Sequence, residues 1–215
     1  SVGDNGWLDL LLNYARTLVD KADGRYHVPY PLMRGTTDLV AALLGYEKMA
    51  FSFFDQPREL GRLTERCVEV YIAVADALDA VIPKVAGGRV SRFNIWAPGS
   101  VAITQCDASA ALAAKTYEEF FFPYDVQTCE RFDYSIIHLH SEFLHTIDTF
   151  LKTEYPTAIQ VSLDTDSTRL TPHDLVPVFK KVLEKKPLII TGPCTRQDLD
   201  TLLEALPPHG LCIMA

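Results

Sequence analysis

The sequence predicts an α/β fold of the (β/α)8-barrel type, present as one partial barrel domain over residues 1–215. Three observations predict it. After residue 90, strand-like runs alternate with helical segments long enough to serve as crossovers. Two helix starts among them carry capping signals: Thr171-Pro172 with Asp174, and Thr195 with Asp198. No GxGxxG or GxxxxGK[ST] loop is present, which removes the main support for a nucleotide-binding Rossmann or P-loop reading. Eight βα units ordinarily take about 250 residues, so the six or seven strands of this 215-residue chain predict an incomplete barrel. The N-terminal strands and the last βα unit are the parts expected to be missing. Ser1 in place of an initiator Met, and a strand-like end at Leu211 to Ala215, point the same way.

Taken in order, Gly6 to Asp23 has Leu8, Leu11, Leu12, Ala15, Leu18 and Val19 at helical spacing and stops at Asp23-Gly24. Arg25 to Leu32 reads as a strand bounded by Pro29 and Pro31. Arg34 to Asp38 is a turn that launches a helix over Leu39 to Leu44, which Gly45 stops. A short helix covers Glu47 to Phe54. Asp55-Gln56-Pro57 then starts a long helix running to Leu78 or Ile82, and Gly87-Gly88 is a turn. The later strand-like runs are Arg92 to Trp96, Val101 to Gln105, Tyr134 to His140, Thr157 to Leu163, Pro187 to Thr191 and Gly210 to Met214.

The totals narrow the function classes. With 48% hydrophobic and 22% charged residues, the chain has the composition of a soluble globular protein able to bury a large core. No apolar run is long enough to span a membrane as a helix, and no signal peptide is evident. A net charge of −8 argues against nucleic acid as a partner, because phosphates need a basic face. An anionic substrate would have to be met by local Arg or Lys residues. Five scattered cysteines without a CxxC pair predict reduced thiols and a cytoplasmic location. A homodimer is left open.

The stretch Tyr134 to His145 carries the most chemistry. Residues i and i+2 of a strand share a face, so His138 and His140 point the same way at a strand end, just before an amphipathic segment opened by Ser141. In a parallel α/β fold that end is where ligands bind. The pair either ligates a metal or handles protons, or is merely half-exposed and hydrogen-bonded. Asp107 and Asp164 also follow strand-like runs and face the mouth or cap a helix. Arg34 is the early basic residue placed to meet an anion, or else a structural salt bridge. The third metal ligand is Cys194, just beyond a strand and otherwise a loop thiol, or Asp164, which would give two histidines and a carboxylate. Trp96, Tyr117, Phe120, Phe121 and Tyr124 wall a pocket or fill the core. Glu142 and His145 have ExxH spacing, a weak signal in a single copy.

Several stretches, in order, resemble the uroporphyrinogen decarboxylase superfamily. They are Arg34-Gly-Thr-Thr-Asp-Leu-Val-Ala-Ala-Leu-Leu-Gly45, Asp55-Gln-Pro-Arg-Glu-Leu60, Trp96-Ala-Pro-Gly99 and Gln105-Cys-Asp107. Tyr117-Glu-Glu-Phe-Phe-Phe-Pro-Tyr124, His138-Leu-His-Ser141 and Lys186-Pro-Leu-Ile-Ile-Thr-Gly192 continue it. The resemblance implies a (β/α)8 barrel with its site at the carboxyl ends of the strands. It offers two chemistries. One is decarboxylation of a tetrapyrrole-type substrate of porphyrin biosynthesis, needing no cofactor, with Asp107, His138, His140 and Asp164 as catalytic candidates and Arg34, Trp96 and Tyr124 against the substrate. The other is zinc-dependent transfer of methyl between a corrinoid, carried by a partner protein, and a thiol, with His138, His140 and Cys194 as ligands. His140 stands where the methyltransferase pattern has Cys, which places decarboxylation narrowly ahead. A barrel that binds a tetrapyrrole or corrinoid without turning it over is the non-enzymatic alternative.

An incomplete barrel leaves sheet edges open. The isolated chain is therefore expected to be aggregation-prone, and a sharp, reversible thermal transition of the monomer would count against that.

Overall fold

The computed structural model describes residues 5–164 and 170–214. The N-terminal third is helical: α1 (Gly6–Ala22), α2 (Thr36–Leu44), α3 (Tyr46–Asp55) and α4 (Pro57–Asp79). A hairpin follows, β1 (Arg89–Val90) paired antiparallel with β2 (Trp96–Ala97). Then come β3 (Val101–Gln105), α5 (Ala114–Phe120), α6 (Phe122–Glu130), β4 (Tyr134–His140), α7 (Ile147–Phe150), β5 (Ala158–Ser162), α8 (Pro172–Leu183), β6 (Leu188–Thr191), α9 (Arg196–Ala205) and β7 (Leu211–Met214). The strands β3 to β7 form one parallel sheet in chain order, with no reversal of strand order. Among the described residues this sheet is open, with β3 and β7 as its edges, and no helix is long and apolar enough to cross a membrane.

Strand alternation divides the sheet into two faces. Ile137, Leu139, Ile159, Val161, Leu188 and Ile190 pack with the helix residues Phe150, Phe179, Val182 and Leu202 in the main core. Ile103, Ile136 and Ile189 turn the other way and pack with Ala97 and Val101 under the hairpin loop. Toward the carboxyl ends this second face becomes polar. Gln105, His138 and Gln160 lie side by side in register, and His140 and Ser162 are paired one step further along.

The predicted strands at Val101 to Gln105 and Tyr134 to His140 match in both bounds, and the three later ones are trimmed by one or two residues. Both predicted capping boxes are formed, with Thr171 and Asp174 exchanging bonds at the start of α8 and Thr195 and Asp198 at the start of α9. Two predicted strands are absent. Arg25 to Leu32 has no strand partner, because Pro29 and Pro31 each lack the N–H that a ladder needs; Tyr30 instead anchors it by a hydrogen bond to Asp79. Arg92 to Trp96 is mostly the hairpin loop, where Asn94 adopts a left-handed φ of 54° and the Ile95 amide donates to Ser91 Oγ. The segment after Ser141 is not a full amphipathic helix. Only a 3-10 turn at Leu144–Thr146 and the single turn α7 form.

One contact ties the helical third to the sheet. Gly35, just before α2, lies so close to the end of β3 that a Cβ there would sit 2.1 Å from the Gln105 carbonyl oxygen. The α2 start is held by the buried Asp125, which accepts from Thr36 Oγ1 at 2.6 Å, the Thr36 amide at 3.3 Å and Tyr117 Oη at 2.6 Å. Burial pushes the Asp125 carboxyl up to about 6, with the donors from Thr36 and Tyr117 pulling the other way.

Two outcomes follow from these contacts. Gly35→Ala forces a methyl group against the Gln105 carbonyl and should cost about 1–3 kcal/mol in chemical denaturation. Because the folded-state pKa of Asp125 is raised, folding favours its protonated form relative to the unfolded chain. Relative to Asp125→Asn, wild-type stability should fall as pH rises between about 4 and 6, and be flat on either side. Equal pH profiles for the two proteins would contradict this.

Candidate functional site

The site lies at the carboxyl ends of β3, β4 and β5. The residues of β4 place His138 and His140 on the polar face with Leu139 turned into the core between them. Their rings are edge-to-face, with centroids 4.8 Å apart and an interplanar angle of 77°. Each ring has one nitrogen committed to an outward partner. His138 Nδ1 bonds Gln160 Oε1, and Gln160 Nε2 donates to Thr191 Oγ1 at 2.8 Å. His140 Nδ1 bonds Asp164 Oδ1 at 2.6 Å. The second oxygen of Asp164 accepts from Ser141 Oγ at 3.0 Å, and Ser141 Oγ accepts in turn from the Asp164 amide.

Gln160 Oε1 and the Asp164 carboxylate are acceptors and favour a proton on each Nδ1; in that tautomer the two Nε2 atoms, 3.3 Å apart, turn their lone pairs toward each other. Two facing lone pairs repel unless a proton or a cation lies between them. Asp107, in the turn after β3, completes the group: its Oδ1 is 3.9 Å from His140 Nε2. One ligand atom from each of Asp107, His138 and His140 lies within 4.8 Å of the other two. A tetrahedral ion with bonds of about 2.0–2.1 Å to nitrogen separates its ligand nitrogens by about 3.3–3.4 Å. The donor set of two imidazoles and a carboxylate therefore fits a divalent cation.

The two carboxylates are tuned in opposite directions. Burial, then the charge of Asp38, raises the Asp107 pKa, against the pull of His138, His140 and Arg34. Burial works the same way on Asp164, but the hydrogen bonds from His140, the Ser141 hydroxyl and the Glu142 amide outweigh it, and its pKa is lowered. Asp164 is thus the ionised acceptor that orients His140, and Asp107 the carboxyl with the higher proton affinity. Asp38, buried on α2, accepts from Gln105 Nε2 and the Ala108 amide, both at 2.7 Å. The same Gln105 nitrogen reaches Asp107 Oδ2 at 2.9 Å. Arg34, Asp38, Tyr46, Gln105 and Asp107 line a cavity of about 220 Å³ beside the histidines.

The structure therefore brings together five of the predicted residues, Arg34, Asp107, His138, His140 and Asp164, and places three elsewhere. Trp96 lies at the opposite end of the sheet, its indole donating to the Val85 carbonyl at 2.8 Å; it lines a cavity with Tyr134, Leu188 and Leu211. Tyr124 sits in the helix layer, where its hydroxyl lies 3.1 Å from where a Cβ on Gly61 of α4 would be. Cys194 packs against the helix-side core and is not in the cluster of Asp107, His138 and His140. Tyr117 and Phe121 are fully buried core. His145 bonds the Leu112 carbonyl.

Sequence reasoning missed Asp38, Gln105 and Gln160 as parts of the site. Strand parity held the signal: Gln105 and Gln160 are polar residues on apolar strands, in the register that faces His138. No protein-family model matches the chain, and no curated protein matches it.

Proposed function

We propose that this chain is a divalent-metal-dependent enzyme of the uroporphyrinogen decarboxylase superfamily, of the branch that moves methyl between a corrinoid and a thiol. One observation carries the reading: two Nε2 atoms converge at 3.3 Å with the Asp107 carboxylate beside them, while both Nδ1 atoms are occupied by outward partners. The fold that goes with it is an arc of a (β/α)8 barrel. Its support is five adjacent parallel strands in chain order, with polar residues gathered at their carboxyl ends.

His138, His140 and Asp107 would hold zinc, in place of the ligand set with Cys194. When bound, the cation would supply the Lewis acidity that lets a thiol shed its proton at neutral pH. The chain's own residues do the rest. Asp164 and Gln160 hold the imidazole rings in place. Arg34, exposed on the rim of the adjoining cavity, meets the anionic part of a substrate.

The sequence alone favours metal-free decarboxylation by a narrow margin; we reverse that order because that chemistry leaves the facing lone pairs without a purpose. Decarboxylation keeps second place on a separate observation. Asp107 has a raised proton affinity near Arg34, which suits a carboxyl that delivers a proton to a pyrrole carbon while a guanidinium holds the substrate acid.

Zinc analysis after loading and desalting separates the two. About one zinc per chain is expected in the wild type and none in His138→Ala/His140→Ala. Asp107→Asn should bind at least about tenfold more weakly, and Cys194→Ser should bind like the wild type. A wild-type protein that holds no zinc sinks the metal reading, and release of CO2 from a porphyrinogen then becomes the assay that decides.

A further inference from the structure

We propose that Gln160 is a positioning residue: its side-chain amide determines which ring nitrogen of His138 carries the proton, and so whether His138 offers a lone pair to the mouth. The inference rests on the metal reading for its consequence, though not for its geometry.

Gln160 has no exposed surface. A buried primary amide is costly unless its oxygen and nitrogen both find partners, and here each has one. The nitrogen donates to Thr191 Oγ1 at 2.8 Å on β6, and the oxygen takes the bond from His138 Nδ1 on β4. The amide thus spans three adjacent strands across the polar face, and its oxygen calls for a proton on His138 Nδ1. Nε2 is then left with its lone pair aimed at His140 Nε2, 3.3 Å away.

The opposite amide orientation has the opposite consequence. With its NH2 toward His138, Gln160 would call for a bare Nδ1, and the proton would move to Nε2. That N–H would then donate to His140 Nε2, whose lone pair is free because Asp164, an ionised acceptor, holds the His140 proton on Nδ1. The two imidazoles would be bonded to each other and closed to a cation. One half-turn of a buried amide therefore separates an open pair from a closed one. Asp164 has no such alternative, since a carboxylate can only accept.

Two measurements test this. Nitrogen-15 shifts of the histidine rings in metal-free protein should show His138 as the Nδ1–H form in the wild type. In Gln160→Met, which keeps the length and loses both polar atoms, that preference should disappear while His140 stays Nδ1–H. Zinc titration should show binding about 10–100-fold weaker in Gln160→Met. Gln160→Glu, which keeps the acceptor, should restore it to within a few-fold of the wild type. Thr191→Val, which frees the amide nitrogen but leaves Gln160 in place, should mix the two tautomers and serves if Gln160→Met does not fold. An Nε2–H form of His138 in the wild type overturns the proposal. So does wild-type zinc affinity in Gln160→Met. A wild type that binds no zinc defeats the metal reading alone, and the ring shifts still decide the role of Gln160.

Discussion

Two imidazole nitrogens held 3.3 Å apart, each with its other ring nitrogen already bonded, form the constraint on which the polar end of this sheet depends. Alternation along β4 puts both rings on one face, and no rotamer choice could bring residues i and i+1 together in the same way. Once the pair is there, its neighbours must supply acceptors rather than donors to the outward nitrogens. The adjacent strand does so twice: Gln160 lies in register with His138, and Asp164 follows two residues beyond the partner of His140.

Holding that arrangement calls on residues outside the histidine pair. Asp38 and Asp125 are buried carboxylic acids on helices, and each is satisfied by several donors rather than by a cation. Asp38 grips the turn carrying Asp107 through the Ala108 amide, and Asp125 fixes the first residue of α2. Between them lies Gly35, whose missing Cβ allows the loop to touch Gln105. An unsatisfied buried acid would cost several kcal/mol, so the packing of the helical third and the placement of Asp107 depend on each other.

Much of this was legible in the sequence, and what was not had a physical cause. The strand ends at Gln105 and His140 were readable because apolar β-branched runs stop there, and both capping boxes because Thr and Asp three apart leave a local signature. The shared face of His138 and His140 needed only strand parity. Arg25 to Leu32 misled because its apolar residues pack on helices without pairing, which composition does not distinguish. Gln105 and Gln160 went unseen for another reason. A polar residue inside an apolar strand acquires meaning only when its neighbour across the ladder is known, and register is a tertiary property.

The same consideration decides between the two candidate third ligands. Adjacent strands in a sheet are about 4.8 Å apart. Asp107 follows β3, the immediate neighbour of β4, and its carboxylate is already 3.9 Å from His140 Nε2. Cys194 follows β6, two strands away from β4, so about 10 Å of sheet separates it from the pair. A thiolate binds zinc at about 2.3 Å, and a cysteine side chain is too short to cover the difference without moving its backbone. In sequence, Cys194 has a strand end and a soft ligand in its favour. In space, Asp107 is a neighbour and Cys194 is not. Asp164 is also a neighbour, from β5, but both of its oxygens are spent orienting His140 and Ser141. For the proposed cation, adjacency favours Asp107 as the third ligand and leaves Asp164 as the group that orients His140.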